Sequence, residues 1–266
     1  PSKTQTLREL DGRSAVMIRG MGTEFDSLRD YVDGDDVRSI DWRASARAQD
    51  LVVKTWRPER DRRVVIVVDS SRLAARRCGD GTVFDAALES ALLLTALASG
   101  AGDRVDVVVA DARIRAIASR HRAKDPVHDL AVALTTVHPE LYDADWEQIS
   151  STVLATSRQH ALVVLVTALD EGSVSDEILP VLPTLLARHR VVLASVEDPG
   201  LRELAARRDG TDEIFTAAAA ESELLTSKSL QTRLRGAGVQ SVEAGPDDLP
   251  GALADLYINL KATGKL

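Results

Sequence analysis

Cysteine is almost absent: Cys78 stands alone in 266 residues. An intramolecular disulfide is therefore excluded, and a lone thiol with no histidine near it in sequence reads as structural and fits a reducing compartment. Positive charge is in deficit. Lys and Arg total 33 against 41 Asp and Glu, a formal net charge of -8, which argues against a nucleic-acid surface as the main business of the chain. Long hydrophobic runs are lacking too. The most apolar stretch, around Leu92 to Ala98, is too short and too mixed to span a bilayer, and nothing resembles a signal peptide.

Several chemical motifs are also missing. No glycine-rich phosphate loop follows a strand, since Ser70-Ser71-Arg72-Leu73-Ala74 supplies no glycine. His121, His128, His138, His160 and His189 are scattered without zinc-like spacing. An Asp that ends a hydrophobic strand can be a phosphoryl-transfer nucleophile, but the acid/base expected two residues beyond Asp69 is Ser71. Neither serine sits in a nucleophile elbow.

What is present is a repeated alternation of strand and helix patterns over the later part of the chain. Val64 to Val68 is a continuous β-branched run that fits a central parallel strand covered on both faces, and it ends at Asp69, where ligands sit in open α/β sheets. Thr82 and Asp85 read as a capping box for a helix with Phe84, Ala87, Leu88, Ala91 and Leu92 on one face. Val105 to Val109 and Arg113 to Ile117 read as a hairpin, so one edge strand should be antiparallel. Further strands are expected at Leu51 to Trp56, Ala161 to Val166, Arg190 to Val196 and Val239 to Val242. Helices are expected at Asp125 to Val137, Asp145 to Arg158, Ile178 to Arg188, Thr216 to Leu234 and Leu249 to Leu260. That order predicts a doubly wound, mostly parallel α/β sheet with one antiparallel edge strand.

The stretch Gly20 to Arg47 follows another logic. It reads as an irregular segment with no long period, yet it interleaves Glu24, Asp26, Asp30, Asp33, Asp35, Asp36 and Asp41 with Arg29, Arg38, Arg43 and Arg47, and adds Tyr31 and Trp42. Opposite charges in a turn-rich segment predict Arg–carboxylate forks that hold the loop, and the aromatics imply more than a solvated loop. Here we expect Arg29, Arg38, Arg43 and Arg47 to pair with Asp35, Asp36 and Asp41, with Trp42 anchoring the segment to the core. A nuclease-type acid cluster is disfavoured because the arginines neutralise the charge a metal needs.

The same residues resemble a family signature. Gly20, Gly22, Glu24, Phe25, Arg29, Tyr31, Gly34, Asp35, Asp36, Arg38, Ile40, Asp41, Trp42, Ser45, Ala46 and Arg47 are similar to the G-x-G-x-E-F, R-x-Y, G-D-D-x-R-x-I-D-W and S-A-R series of the bacterial domain of unknown function 58 (DUF 58) family. The resemblance implies a von Willebrand factor A-like domain over residues 61–266, with residues 1–60 as an N-terminal extension. Such domains often carry a metal-ion-dependent adhesion site of Asp-x-Ser-x-Ser, Thr and Asp. By that pattern Asp69 and Ser71 are metal-ligand candidates, but Leu73 takes the third position and Ala168 the place of the later Asp. Asp143, Asp145 and Asp170 are the acids that could compensate, and Mg2+ is the ion such oxygens would suit. The expectation is a degenerate site with no cofactor.

Glu24, Arg29, Tyr31, Asp35, Asp36, Arg38, Asp41, Trp42 and Arg47 are the expected interaction residues. The resemblance further implies a non-enzymatic, cytoplasmic adaptor or assembly factor that binds proteins, with a MoxR-type AAA+ ATPase as partner. Residue 1 is Pro, and members of this family often have transmembrane helices upstream, which would make this the cytosolic part of an anchored protein. A Mg2+-dependent phosphate-ester hydrolase using Asp69 is the competing class, and metal-dependent adhesion without turnover the third.

Overall fold

The computed structural model describes residues 24–32, 35, 37–48, 50–57, 62–119, 126–207 and 210–266. These fall into two compact units, one ending at Asp61 and the other running from Arg62 to Leu266. Gly20, Gly22, Asp33, Gly34, Asp36 and His121 lie outside the described residues.

The smaller unit corrects the expectation of an irregular segment. Strand β1 (Glu24–Asp30) pairs antiparallel with β2 (Val52–Arg57), placing Arg29 opposite Val53. Between them run a 3-10 turn (Val37–Ser39) and helix α1 (Trp42–Ala48). Hydrophobic period gives no sign of that helix, because one turn-and-a-half of it is fixed by specific polar bonds. Asp41 Oδ1 accepts from the N–H groups of Arg43 and Ala44, each at 3.0 Å, as an N-cap. The Ser45 hydroxyl donates to the Asp41 carbonyl at 2.8 Å and accepts from the Val52 N–H at 2.9 Å. Ile40 is buried and bridges to Val53.

In the larger unit the doubly wound sheet is as expected. Strands β3 (Arg63–Asp69), β6 (Arg104–Ala110), β7 (Ile114–Ser119), β8 (Leu162–Val166), β9 (Arg190–Val196) and β10 (Gln240–Ala244) form one sheet in the order β10-β9-β8-β3-β6-β7. Only β7 runs antiparallel to its neighbour. Two short strands, β4 (Arg77–Cys78) and β5 (Gly81–Thr82), make a separate ribbon.

Continuous β-branched strands need cover on both sides, and the helices supply it. Val64, Ile66 and Val68 pack with α2 (Val83–Gly100), α3 (Pro126–Leu134) and α8 (Leu249–Ala262). Val65 and Val67 pack with α4 (Trp146–Thr156), α5 (Leu179–Leu186) and the last turns of α7 (Thr211–Gly236). Helix α2 starts with the expected box: Thr82 accepts from the Asp85 N–H, and Asp85 accepts from the Thr82 N–H. By length and composition it could cross a membrane, but its apolar residues belong to this core.

Several elements differ from the sequence reading, the β4–β5 ribbon among them. Helix α7 begins five residues earlier than the expected Thr216, at Thr211, and a separate helix α6 (Pro199–Ala206) precedes it. A π-helical turn (Ser173–Ile178) runs into α5, which takes Pro180 in its first turn and holds Pro183 inside.

Candidate functional site

The carboxyl end of β3 is where the sequence places its candidate ligands. Register sets Asp69 beside Ala110 of β6, with Thr167 following the end of β8 on the other side. Asp69 is 1% exposed. Its Oδ1 accepts from the Ser71 N–H at 2.8 Å and its Oδ2 from the Thr167 hydroxyl at 2.5 Å. Burial raises the Asp69 carboxyl above the ordinary range; the hydrogen bonds from Thr167 and Ser71 oppose that, and the nearby Asp111 charge adds to it.

Asp111, also buried, accepts from the Arg113 N–H at 3.1 Å and faces Arg115 at 3.4 Å. Arg115 reaches on to Glu140 at 3.1 Å. The loop that follows is tied down along its length. The Glu140 N–H donates to the Ser70 carbonyl at 2.8 Å, the Arg72 N–H to the Tyr142 carbonyl at 2.8 Å, and the Asp145 N–H to the Asp111 carbonyl at 3.0 Å. The Arg72 guanidinium pairs with Asp143, and Asp145 caps α4 by accepting from the Gln148 N–H at 2.8 Å. At the tip of this fixed loop Leu141 and Tyr142 are 81% and 61% exposed.

Mg2+ needs near-octahedral oxygens converging on one point. Here both Asp69 oxygens are engaged, Asp143 turns outward to Arg72, and Asp170 accepts from the Ser173 N–H at 3.1 Å. Among the described residues no three His, Cys, Asp or Glu side chains are grouped as a metal site. Thr167 is the site residue that sequence reasoning passed over, because alignment drew attention to Ala168 next to it. Its signal was a hydroxyl directly after a fully apolar strand.

A second concavity, about 450 Å³, opens at the carboxyl ends of β9 and β10 and is lined by Asp170, Glu197, Glu223 and Glu243 with Arg76. Burial raises the Glu243 carboxyl, while the Ser227 hydroxyl, donating at 2.7 Å, opposes the shift.

The signature residues divide. Arg29 forks onto Asp35 with two bonds of 2.8 and 2.7 Å, and Asp35 also accepts from the Val32 N–H at 3.0 Å. Tyr31 is half-buried, its N–H donating to the Leu51 carbonyl at 2.7 Å. Asp41 caps α1, as described above. Glu24 sits in β1, and Asp36 lies outside the described residues. Arg38, Arg43 and Arg47 are exposed, and among the described residues no ion pair joins Arg43 or Arg47 to a carboxylate. Of the expected network, the Arg29–Asp35 fork and the Asp41 cap are formed among the described residues, while Arg38 is exposed on the surface but not without a partner. Trp42 corrects the expectation of a core anchor: it is 68% exposed, because the cap and Ser45 turn the other side of the helix inward.

Comparison with known proteins bears on these units as follows. The uncharacterized protein Rv1480 of Mycobacterium tuberculosis is 25% identical over 197 residues, covering 71% of this chain and 60% of that protein. The uncharacterized protein Mb1516 of Mycobacterium bovis matches to the same extent. The chain thus spans about three-fifths of the length of the curated relatives it matches. Among solved structures, proximal thread matrix protein 1 from the mussel byssus is similar with a TM-score of 0.47 and 12% identity, covering 76% of this chain and 47% of that one. The SpRpn10 VWA domain is similar with a TM-score of 0.41 and 13% identity, covering 74% of this chain and 93% of that one. A von Willebrand factor type A protein from Catenulispora acidiphila gives 0.41 and 12%, with 80% and 44% covered. The family described as "Protein of unknown function DUF58" matches over residues 27–239, and the chain belongs to it.

Proposed function

We propose that the protein is a non-enzymatic protein–protein interaction module, an adaptor or assembly factor, and that a partner contacts it at the carboxyl mouth of β3. The observation that carries this reading is the exposure of Leu141 and Tyr142 on a loop held by three backbone hydrogen bonds. Large apolar side chains kept in water on a fixed loop bind with little ordering cost, since their geometry is set before the partner arrives. The engaged Asp69 beneath them supports a structural rather than a chemical role for that acid. A MoxR-type AAA+ ATPase as partner, and a cytosolic setting, come from the family resemblance and from no residue here.

Calorimetric titration of the whole chain against a MoxR-type ATPase with ATP tests the reading. Binding is expected for the wild type, and affinity at least about tenfold weaker for the double variant Leu141→Ser, Tyr142→Ser, with an unchanged melting temperature. Equal affinity of the variant removes the mouth as the contact. Saturable Mg2+ binding together with phosphate-ester turnover that Asp69→Ala abolishes would establish the hydrolase instead, and Mg2+ binding without turnover the adhesion site.

A further inference from the structure

We propose that the outward face of α1 is a second docking surface, and that it takes an acidic segment of a protein partner carrying one large apolar anchor. It lies in the smaller unit and is independent of the β3 mouth, so either surface can fail its test without the other.

The argument begins with how α1 is held. Ile40, the Asp41 cap and the buried Ser45 hydroxyl fix the rotation of the helix against β2. With Ser45 inward, Trp42, Arg43, Ala46 and Arg47 come outward together, at the spacing of one helical face, and all four are exposed. Trp42, Ser45, Ala46, Asp50 and Leu51 line a shallow groove of about 440 Å³. Leu51 is itself exposed. An indole left in water, lining one groove with an exposed leucine, is apolar surface whose burial favours association.

Charge selects the occupant. Arg43 and Arg47 stand one turn apart beside the indole, and a guanidinium presents a planar fork that matches a carboxylate. This face is cationic on a chain whose formal net charge is -8. Asp50 in the groove lining repels carboxylates there, so the partner's acids belong on Arg43 and Arg47, which lie outside that lining, and its apolar anchor over Trp42 and Leu51. A nucleic acid fits worse: two arginines make a point of attachment, whereas a phosphate backbone asks for a basic track.

The test uses the whole chain and a fluorescein-labelled peptide in which glutamates surround one phenylalanine. Fluorescence anisotropy is expected to show salt-sensitive binding. It should weaken at least about tenfold in Arg43→Glu with Arg47→Glu, in Trp42→Ala, and with a peptide whose glutamates are replaced by glutamines. All three side chains are exposed, so melting temperature should not move; if Trp42→Ala does lower it, the arginine pair decides. Binding that ignores both sets of substitutions overturns the proposal. So does equal binding of the glutamine peptide, tighter binding of a single-stranded oligonucleotide, or concentration-dependent self-association of the chain that Trp42→Ala abolishes.

Discussion

The Thr167 hydroxyl donates to Asp69 Oδ2 at 2.5 Å, joining the ends of two neighbouring parallel strands through a buried carboxyl. Burial, the largest influence, raises that carboxyl above its ordinary value of 3.8. The native state therefore binds the proton more readily than the unfolded chain does. Stability contributed by this group is highest below the unfolded value and declines as pH rises through the interval up to the folded one.

Asp69→Asn removes the titration while keeping an acceptor for the Ser71 N–H. The Thr167 hydroxyl can then turn toward the Ala168 carbonyl, 3.4 Å away. The expected outcome is a stability difference, variant minus wild type, that grows with pH across that interval and levels off above it. Urea unfolding of both proteins from about pH 4 to pH 8 measures it. A difference that is flat, or that shrinks as pH rises, would show that Asp69 is not the buried acid described.

Thr167→Val keeps the shape at the same place and removes the donor. A hydrogen bond to a buried carboxyl lost in this way costs about 1.5–3 kcal/mol, and the loss should be smaller at a pH where Asp69 is protonated. Thr167→Ser, which retains the hydroxyl, should stay within about 1 kcal/mol of wild type. Chemical denaturation at two pH values separates these cases, and equal stability of the valine variant and wild type would contradict the bond.

Much of this architecture was legible because the inner strands of the larger sheet, β3, β6, β8 and β9, are buried on both faces. Such strands must be almost wholly apolar, and Val64 to Val68 and Ala161 to Val166 cannot be read otherwise. The start of α7 was not legible: Thr211, Asp212, Ile214 and Phe215 are exposed there, so burial imposes no period. In the smaller unit, α1 is specified by Asp41 and Ser45 through bonds to individual backbone groups, which leave no repeating pattern. Trp42 was misplaced for the same reason. Its size suggested burial, while the phase of a seven-residue helix depends on which residue the cap and Ser45 turn inward. At the β3 mouth Asp69 could be singled out from its place after the strand, whereas Thr167 matters through a neighbour 98 positions away. Separation of that kind becomes visible only once strand order is known.

Lys261 and Asp103 form a buried ion pair at 3.0 Å, with the Tyr257 hydroxyl donating to the other Asp103 oxygen at 2.5 Å and the Lys261 ammonium also donating to the Ala101 carbonyl at 3.0 Å. These bonds tie α8 to the turn after α2. Lys261→Met fills similar volume but strands a buried carboxylate, and it should cost about 3–5 kcal/mol. Adding Asp103→Asn removes the stranded charge while leaving an acceptor for Tyr257, so the double variant should recover part of the loss. Urea midpoints of the two variants and wild type check this. A double variant no more stable than Lys261→Met alone would mean that the charge is not what the substitution exposes.

Ser45 offers the sharpest check of how the signature segment is held. Val52 is tied on both sides: its N–H donates to the Ser45 hydroxyl at 2.9 Å and its carbonyl accepts from the Asp41 N–H at 2.9 Å. Ser45→Ala leaves the Val52 N–H buried without its acceptor, a loss of about 1–3 kcal/mol borne by this unit. Asp41→Ala removes the cap at about 1 kcal/mol, and Asp41→Asn, still a good cap, should restore most of it. Amide hydrogen exchange resolves the effect locally: exchange at Val52 should accelerate at least about tenfold in Ser45→Ala. The Ala44 amide, bonded to Asp41 Oδ1, should accelerate most in Asp41→Ala. If Val52 exchanges at the wild-type rate after Ser45 loses its hydroxyl, the serine does not join α1 to β2, and the outward phase of Trp42 loses its cause.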